Sequence, residues 1–258
     1  MSIVKLIHGD CLEVMKKFRD NYFDLILTDS PYYISSEIKI TRTRNTMKFK
    51  ATTDLIMDMG EWDKFDSEKD YWDFTYSWID ECVRVLRNGG MFITYFDRDK
   101  INFISYYLQK KYNFKCKGYF AHIKSNPVPQ ARKVKWMNSW EIVGLWQKPN
   151  GKLTYNYWLG QHPDYIIVPI VGGKERLKHP NRAGALHPTQ KPFEVIKLFI
   201  KYWTNEGDKI LDPFAGTGTT LIGAYLLNRH CIGIEKDDLY YREALKRIEK
   251  YIKQKTLF

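Results

Sequence analysis

Short apolar runs alternate with amphipathic stretches along most of this chain. Ile3–Ile7 reads as a strand, and Cys11–Phe18 as a short helix with Leu12, Met15 and Phe18 on one face. Phe23–Thr28 (FDLILT) is a nearly continuous apolar run, as expected of a strand covered on both faces. It stops at Asp29-Ser30-Pro31-Tyr32, where Pro31 has no ladder donor. Residues 33–66 are polar, basic and poorly periodic, and read as a long loop. Ser67 with Asp70 forms a capping box for a helix running to about Leu86 and stopping at Asn88-Gly89-Gly90. Met91–Phe96 reads as a strand and Ile101–Lys110 as a helix. Phe114–Ile123 and Trp140–Trp146 read as strands around a basic loop, Asp164–Val171 as a further strand, and Gly172–Gln190 as loop. Pro192 then opens a helix to about Trp203. Strand Lys209–Leu211, helix Thr219–Asn228, strand His230–Ile234 and helix Asp238–Lys253 follow. Such alternation predicts an α/β fold with a parallel sheet and helices on both faces.

Composition narrows the class. With 258 residues, 44% of them hydrophobic, the chain can bury a sizeable core, so disorder is excluded and one domain over 1–258 is expected. No apolar run has the length to span a bilayer, and the N-terminus does not read as a signal peptide, so an intracellular, cytoplasmic protein with no membrane partner is expected. The four cysteines are scattered without a C-x-x-C pair, and the histidines His122, His162, His179 and His187 lack ligand spacing. No metal site is expected, the thiols read as reduced and partly buried, and the histidines as surface or loop residues.

The net charge of +11 is informative through its distribution. Lys39, Arg42, Arg44, Lys48 and Lys50 occur without an intervening acid, and Lys124, Arg132, Lys133, Lys135, Lys148 and Lys152 surround Glu141 alone. Such clusters suit a phosphate backbone, and Lys39, Arg42, Arg44, Lys48, Arg132, Lys133 and Lys135 are the candidate nucleic-acid contacts. Trp136, Trp140 and Trp146 interleave with the second cluster; as large aromatics they favour core positions over base stacking.

Two strand-end loops carry unusual chemistry, and ligands of open α/β sheets sit beyond the carboxyl ends of strands. Leu211-Asp212-Pro213-Phe214-Ala215-Gly216-Thr217-Gly218-Thr219-Thr220 lies between a strand and a helix. Its glycines permit sharp turns and close approach, and Glu235 follows at the distance expected of a ribose-binding carboxylate. The loop has no basic side chain and no G-K-[ST] sequence, which excludes a nucleoside triphosphate and suits a zwitterionic or cationic nucleoside ligand. In the second loop, Asp29 and the Ser30 carbonyl are acceptors for the two N–H groups of an exocyclic amine, with Tyr32 as a stacking face.

The chain resembles the DNA amino-methyltransferases, N6-adenine and N4-cytosine, in the β arrangement, where the catalytic motif precedes the cofactor motif. HGDCLEVMKKF with FDLILTDSPYY, then VLRNGGMFIT, HPTQKPFEVIKLFI, DKILDPFAGTGTT and HCIGIEKDDLYYREALKRI carry the resemblance in order. It implies a Rossmann-like methyltransferase fold: a mostly parallel, doubly wound sheet with an antiparallel strand and permuted motif order. The implied cofactor is S-adenosylmethionine. Gly216, Gly218 and Thr219 would pass its methionine part, with Asp212 and Phe214 alongside. Glu235 would take the ribose and Asp10 the adenine edge, while Lys191 would help close the site; Cys11, Asp29, Ala215, Thr217 and Thr220 fall in the same stretches. Asp29, Ser30, Pro31 and Tyr32 would be the catalytic residues. Ser30 departs from the family's usual second proline, which makes the turn less rigid.

The implied partner is DNA, within restriction-modification, with residues 33–66 and 153–190 as target-contacting insertions and a homodimer in keeping with the family. Asp at the first motif position favours adenine over cytosine, and no cysteine follows a proline, which removes the nucleophile of C5-cytosine transfer. Competing readings are N4-cytosine transfer, RNA as substrate, a DNA-binding module without catalysis, and a nicotinamide- or flavin-linked oxidoreductase.

Overall fold

A computed structural model describes residues 2–33, 36–46, 49–57, 63–129, 136–181, 184–187 and 189–255, with 36–46 and 49–57 as backbone alone. Lys48, Arg132, Lys133 and Lys135 lie outside the described residues. The chain divides into two compact units, Met1–Ser30 with Ser77–Phe258, and Pro31–Tyr76.

The first unit is built on an eight-stranded sheet of order β1-β10-β9-β2-β5-β7-β6-β8. Its strands are β1 (Val4–His8), β2 (Phe23–Asp29), β5 (Leu86–Phe96), β6 (Lys115–Lys124), β7 (Trp140–Gln147), β8 (Tyr165–Val168), β9 (Lys209–Asp212) and β10 (His230–Glu235). The pairs β1/β10, β10/β9, β9/β2 and β2/β5 are parallel, and β7 runs antiparallel to both β5 and β6. The expected parallel sheet with an antiparallel strand is thus present. Helices α1 (Cys11–Met15), α2 (Glu68–Val85), α3 (Ile101–Tyr112), α4 (Phe193–Trp203), α5 (Thr219–Leu226) and α6 (Asp238–Lys255) complete the fold. No helix among the described residues is long and apolar enough to cross a membrane.

Central strands are buried along their length, which is why FDLILT lacks a polar face: Phe23, Leu25, Ile26 and Leu27 are fully covered. The Asn88-Gly89-Gly90 turn lies inside β5 rather than before it. Between the pairs Phe23↔Leu86 and Leu25↔Met91 the register jumps, so Arg87–Gly90 bulge out of the ladder. Helix α1 is shorter than its pattern suggests, because Lys17 and Phe18 bond back only three residues and tighten into a turn. Arg84 clamps that turn, donating to the carbonyls of Met15 and Phe18 at 2.8 Å each and pairing with Asp20 at 2.6 Å.

In the second unit the capping box forms as expected, with Ser67 Oγ accepting from Asp70 N at 3.1 Å. The loop expected over 33–66 is not borne out: β3 (Ser36–Thr46) and β4 (Phe49–Met57) pair as an antiparallel hairpin. The segment EIKITRTRNT is rich in Ile and Thr at strand-like alternation. Its β-branched content outweighs its lack of an apolar face. Lys39, Arg42 and Arg44 fall in β3.

The tryptophans separate by environment. Trp146 is core, its Nε1 donating to Ser105 Oγ at 3.1 Å. Trp140 is partly exposed under the Arg98 guanidinium, 5.0 Å from its centroid, and Trp136 is 93% exposed. Two residues from Trp146 on the same strand, a Cβ at Gly144 would lie 1.9 Å from the indole. Gly144→Ala is therefore expected to cost about 1–3 kcal/mol by overpacking, read as a lower denaturation midpoint with unchanged slope.

Candidate active site

The Asp29 and glycine-loop corners begin at the carboxyl ends of neighbouring parallel strands. Leu25 pairs with Ile210 and Ile26 with Leu211, so Thr28 and Asp212 arrive together. Thr28 Oγ1 donates to Asp212 Oδ1 at 2.7 Å, and Phe214 N donates to the same oxygen at 3.2 Å. Burial pushes the Asp212 carboxyl up to about 6, against hydrogen bonds from Thr220, Thr28 and Phe214 that favour its ionised form.

The glycine loop is held from three sides. Gly218 caps α5 with φ +75°, and a Cβ there would lie 3.1 Å from Ile248 of α6. Gly233 of β10 is required by close packing, since a Cβ would meet Leu221 at 2.4 Å and Ala215 at 2.9 Å. Glu235 accepts from Gly216 N and Asp237 N at 2.8 Å each, so its carboxylate fastens the loop to the end of β10. Burial raises its pKa to about 7. Arg247 of α6, itself buried, donates to Thr217 O and Thr219 Oγ1 at 3.0 Å each and lies 4.6 Å from the Phe193 ring centroid. Phe214 makes an edge contact with Trp78 at 5.3 Å. Asp10 caps α1 by accepting from Leu12 N at 3.0 Å, and its other oxygen meets Lys236 at 3.1 Å; Cys11 is buried at the first position of α1.

Asp29 ends β2, and its Oδ2 lies 2.6 Å from Lys191 Nζ. The buried Lys191 also meets Glu141 Oε2 at 3.0 Å, and Glu141 Oε1 meets Lys124 Nζ at 2.7 Å. Burial works to lower the Lys191 pKa, but Asp29 and Glu141 override it and hold the ammonium above its ordinary value. Burial likewise works to raise Glu141, but Lys191 and Lys124 bring it down to about 2. His122 is a correction to the expected surface role: it is buried on β6, and desolvation lowers its pKa to about 4, so its ring is neutral. Lys191 thus places its charge on Asp29 and Glu141. Ser30 is buried, with no hydrogen-bond partner for its Oγ among the described residues.

In the second unit, the turn that continues the motif is fixed by a buried aspartate. Asp63 Oδ1 accepts from Tyr32 N at 2.8 Å and Tyr33 N at 2.6 Å, and Tyr33 sits at φ +54° with its ring stacked on Tyr71. Asp63, Glu141, Lys124 and Arg247 were not singled out by the sequence motifs. Each acts through a partner distant in the chain, which local spacing does not report.

The sequence profile of a family described as DNA methylase matches residues 23–246. The type II methyltransferase M2.MboI of Moraxella bovis is 32% identical over 253 residues, covering 94% of this chain and 86% of that protein. The type II methyltransferase M.HinfI of Haemophilus influenzae is 33% identical over 254 residues, covering 95% and 68%. Among solved structures, the complex of M1.HpyAVI with SAM superposes at a TM-score of 0.68 and 22% identity, covering 95% of this chain and 99% of that one. The PvuII DNA methyltransferase, cytosine-N4-specific, superposes at 0.70 and 16% identity, covering 98% and 91%. These two share the fold. With a profile match across most of its length and two relatives above 30% identity, the chain belongs to the N6/N4 DNA methylase family.

Proposed function

We propose that this methylase transfers a methyl group from S-adenosylmethionine directly to the exocyclic N6 of an adenine extruded from DNA. The carrying observation is that the acceptor carboxylate of Asp29 and the glycine loop emerge from adjacent parallel strands, joined by the Thr28–Asp212 bond. The loop residues fit the cofactor. Asp212 and Glu235 are buried carboxyls with raised pKa values, which a cation or hydroxyl donors would relieve, and no basic side chain stands in the loop itself. When bound, S-adenosylmethionine supplies an electrophilic sulfonium methyl.

The protein's part is to prepare the nucleophile. An exocyclic amine is weak because its lone pair is delocalised into the ring. Asp29 accepts one N–H and the Ser30 carbonyl the other, which favours a pyramidal nitrogen with its lone pair directed at the methyl. Positioning supplies much of the remainder, up to ~7–11 kcal/mol in well-oriented systems. The resemblance assigns Tyr32 to stack on the base and Pro31 to stiffen the turn. Cys11, Cys82 and Cys231 are buried, in keeping with transfer that forms no enzyme–base bond. Extrusion costs a few kcal/mol, offset by phosphate contacts for which Lys39, Arg42, Arg44, Lys48, Arg132, Lys133 and Lys135 are the candidates. The exposed Trp136 adjoins that second cluster in sequence. Aspartate at position 29 favours adenine; the N4-cytosine specificity of the PvuII enzyme makes cytosine the second reading.

Incubation with labelled cofactor and DNA, followed by nucleoside analysis, is expected to yield N6-methyladenine; N4-methylcytosine would select the second reading, and no labelled nucleoside would overturn both. Asp29→Ala is expected to lower transfer about a hundred- to a thousandfold, as loss of one preorganised acceptor does, with DNA affinity changed only severalfold in a gel-shift titration. Cofactor affinity depends on pH through Glu235. Hydroxyl donors favour the carboxylate over the carboxylic acid, so binding tightens as pH rises through about 7. Calorimetry should show a dissociation constant about tenfold lower at pH 8 than at pH 6, and Glu235→Gln should flatten this dependence.

A further inference from the structure

Three strands converge on a single buried ammonium, and a fourth reaches it through Glu141. Lys191 Nζ lies 2.6 Å from Asp29 of β2, 3.0 Å from Glu141 of β7 and 4.6 Å from the Tyr95 ring centroid of β5. Lys124 of β6 holds the other oxygen of Glu141 at 2.7 Å, and His122 Nδ1, also on β6, stands 4.0 Å from Glu141. With His122 neutral, two lysines balance two carboxylates. Buried ion clusters are poor sources of stability, because desolvation cancels most of the attraction and well-packed apolar residues often serve as well. A stabilising role is therefore a weak account of Glu141, whereas a single ammonium links it to the reacting carboxylate.

We propose that Glu141 is a positioning residue for methyl transfer: it anchors Lys191, and Lys191 in turn fixes the direction of the Asp29 carboxylate. The inference rests on the function proposed above. A lysine ammonium is a mobile point charge on a flexible stem, and with Asp29 as its one carboxylate it would follow that side chain. A second carboxylate on another strand fixes Nζ in place. Asp29 then pivots against a stationary cation and keeps its remaining acceptor capacity aimed at the amine, within the roughly 0.5 Å and 10–20° that a productive site requires. Lys124 balances the charge of Glu141, so that the second carboxylate can stay ionised next to the first.

Glu141→Gln keeps the side chain's size and removes the charge that meets both Lys191 and Lys124. In single-turnover assays with DNA and S-adenosylmethionine, the variant is expected to transfer methyl about ten- to a hundredfold more slowly, with both binding constants within about twofold. Glu141→Asp, which retains the charge, should recover part of the rate and serves if the glutamine variant does not fold. In NMR titrations of the lysine side-chain nitrogens, the Lys191 midpoint should fall by about one pH unit or more in the glutamine variant and remain nearer the parent value in Glu141→Asp. Transfer at the parent rate in Glu141→Gln, or slow transfer with an unmoved Lys191 midpoint, would overturn the proposal. The titration needs no turnover. Failure of the parent protein to methylate DNA would thus count against the function, while an unmoved midpoint counts against Glu141.

Discussion

Everything at this site depends on the adjacency of β2 and β9. They are separated by most of the chain, yet they pair in parallel at the centre of the sheet, and the Thr28–Asp212 hydrogen bond joins their carboxyl ends. That one pairing turns an acidic corner near the N-terminus and a glycine loop near the C-terminus into neighbours. Parallel strands need crossover connections, so a site made in this way requires the whole intervening fold. The sheet is accordingly buried on its central strands, and the residues with chemistry stand just beyond it.

The two corners are held by different means. The glycine loop is fixed mainly by backbone: Glu235 takes its amide, Gly233 lets it pack against β10, and Arg247 ties its threonines to α6. Asp29 is fixed by charge, through Lys191 and the carboxylate and lysine behind it. A backbone cradle suits a ligand that is recognised by shape and close approach. An ion pair suits a carboxylate whose direction must be set while it remains able to accept a hydrogen bond.

Much of this was legible in the residues. The buried strands, the glycine loop, Glu235 and the capping box at Ser67 are local signals, carried by runs, spacings and turn chemistry within a few residues. What escaped was nonlocal or unconventional. The hairpin of β3 and β4 is written in Thr and Ile alternating with basic residues, so a search for apolar faces reads it as loop. Glu141 looked like a lone acid in a basic segment because its lysines come from β6 and from the turn before α4. His122 looked like a surface histidine because nothing nearby in sequence reports that β6 buries it against Tyr95. The tryptophans show the same limit: composition alone does not separate the core indole of Trp146 from the solvent-facing one of Trp136.

The buried carboxyls beside the glycine loop also tie ligand chemistry to the endurance of the fold. Asp212 and Glu235 hold protons more tightly in the folded chain than in the unfolded one, at about 6 and 7 against ordinary values of 3.8 and 4.5. Between those limits the folded state carries the extra protons, so alkalinisation from pH 4 toward 7 erodes its margin by something of order a few kcal/mol. A cation beside Asp212 and ribose hydroxyls on Glu235 would return part of that margin. Binding of the proposed methyl donor at these acids would thus raise the protein's heat resistance, and a cell short of the donor would hold a more perishable protein.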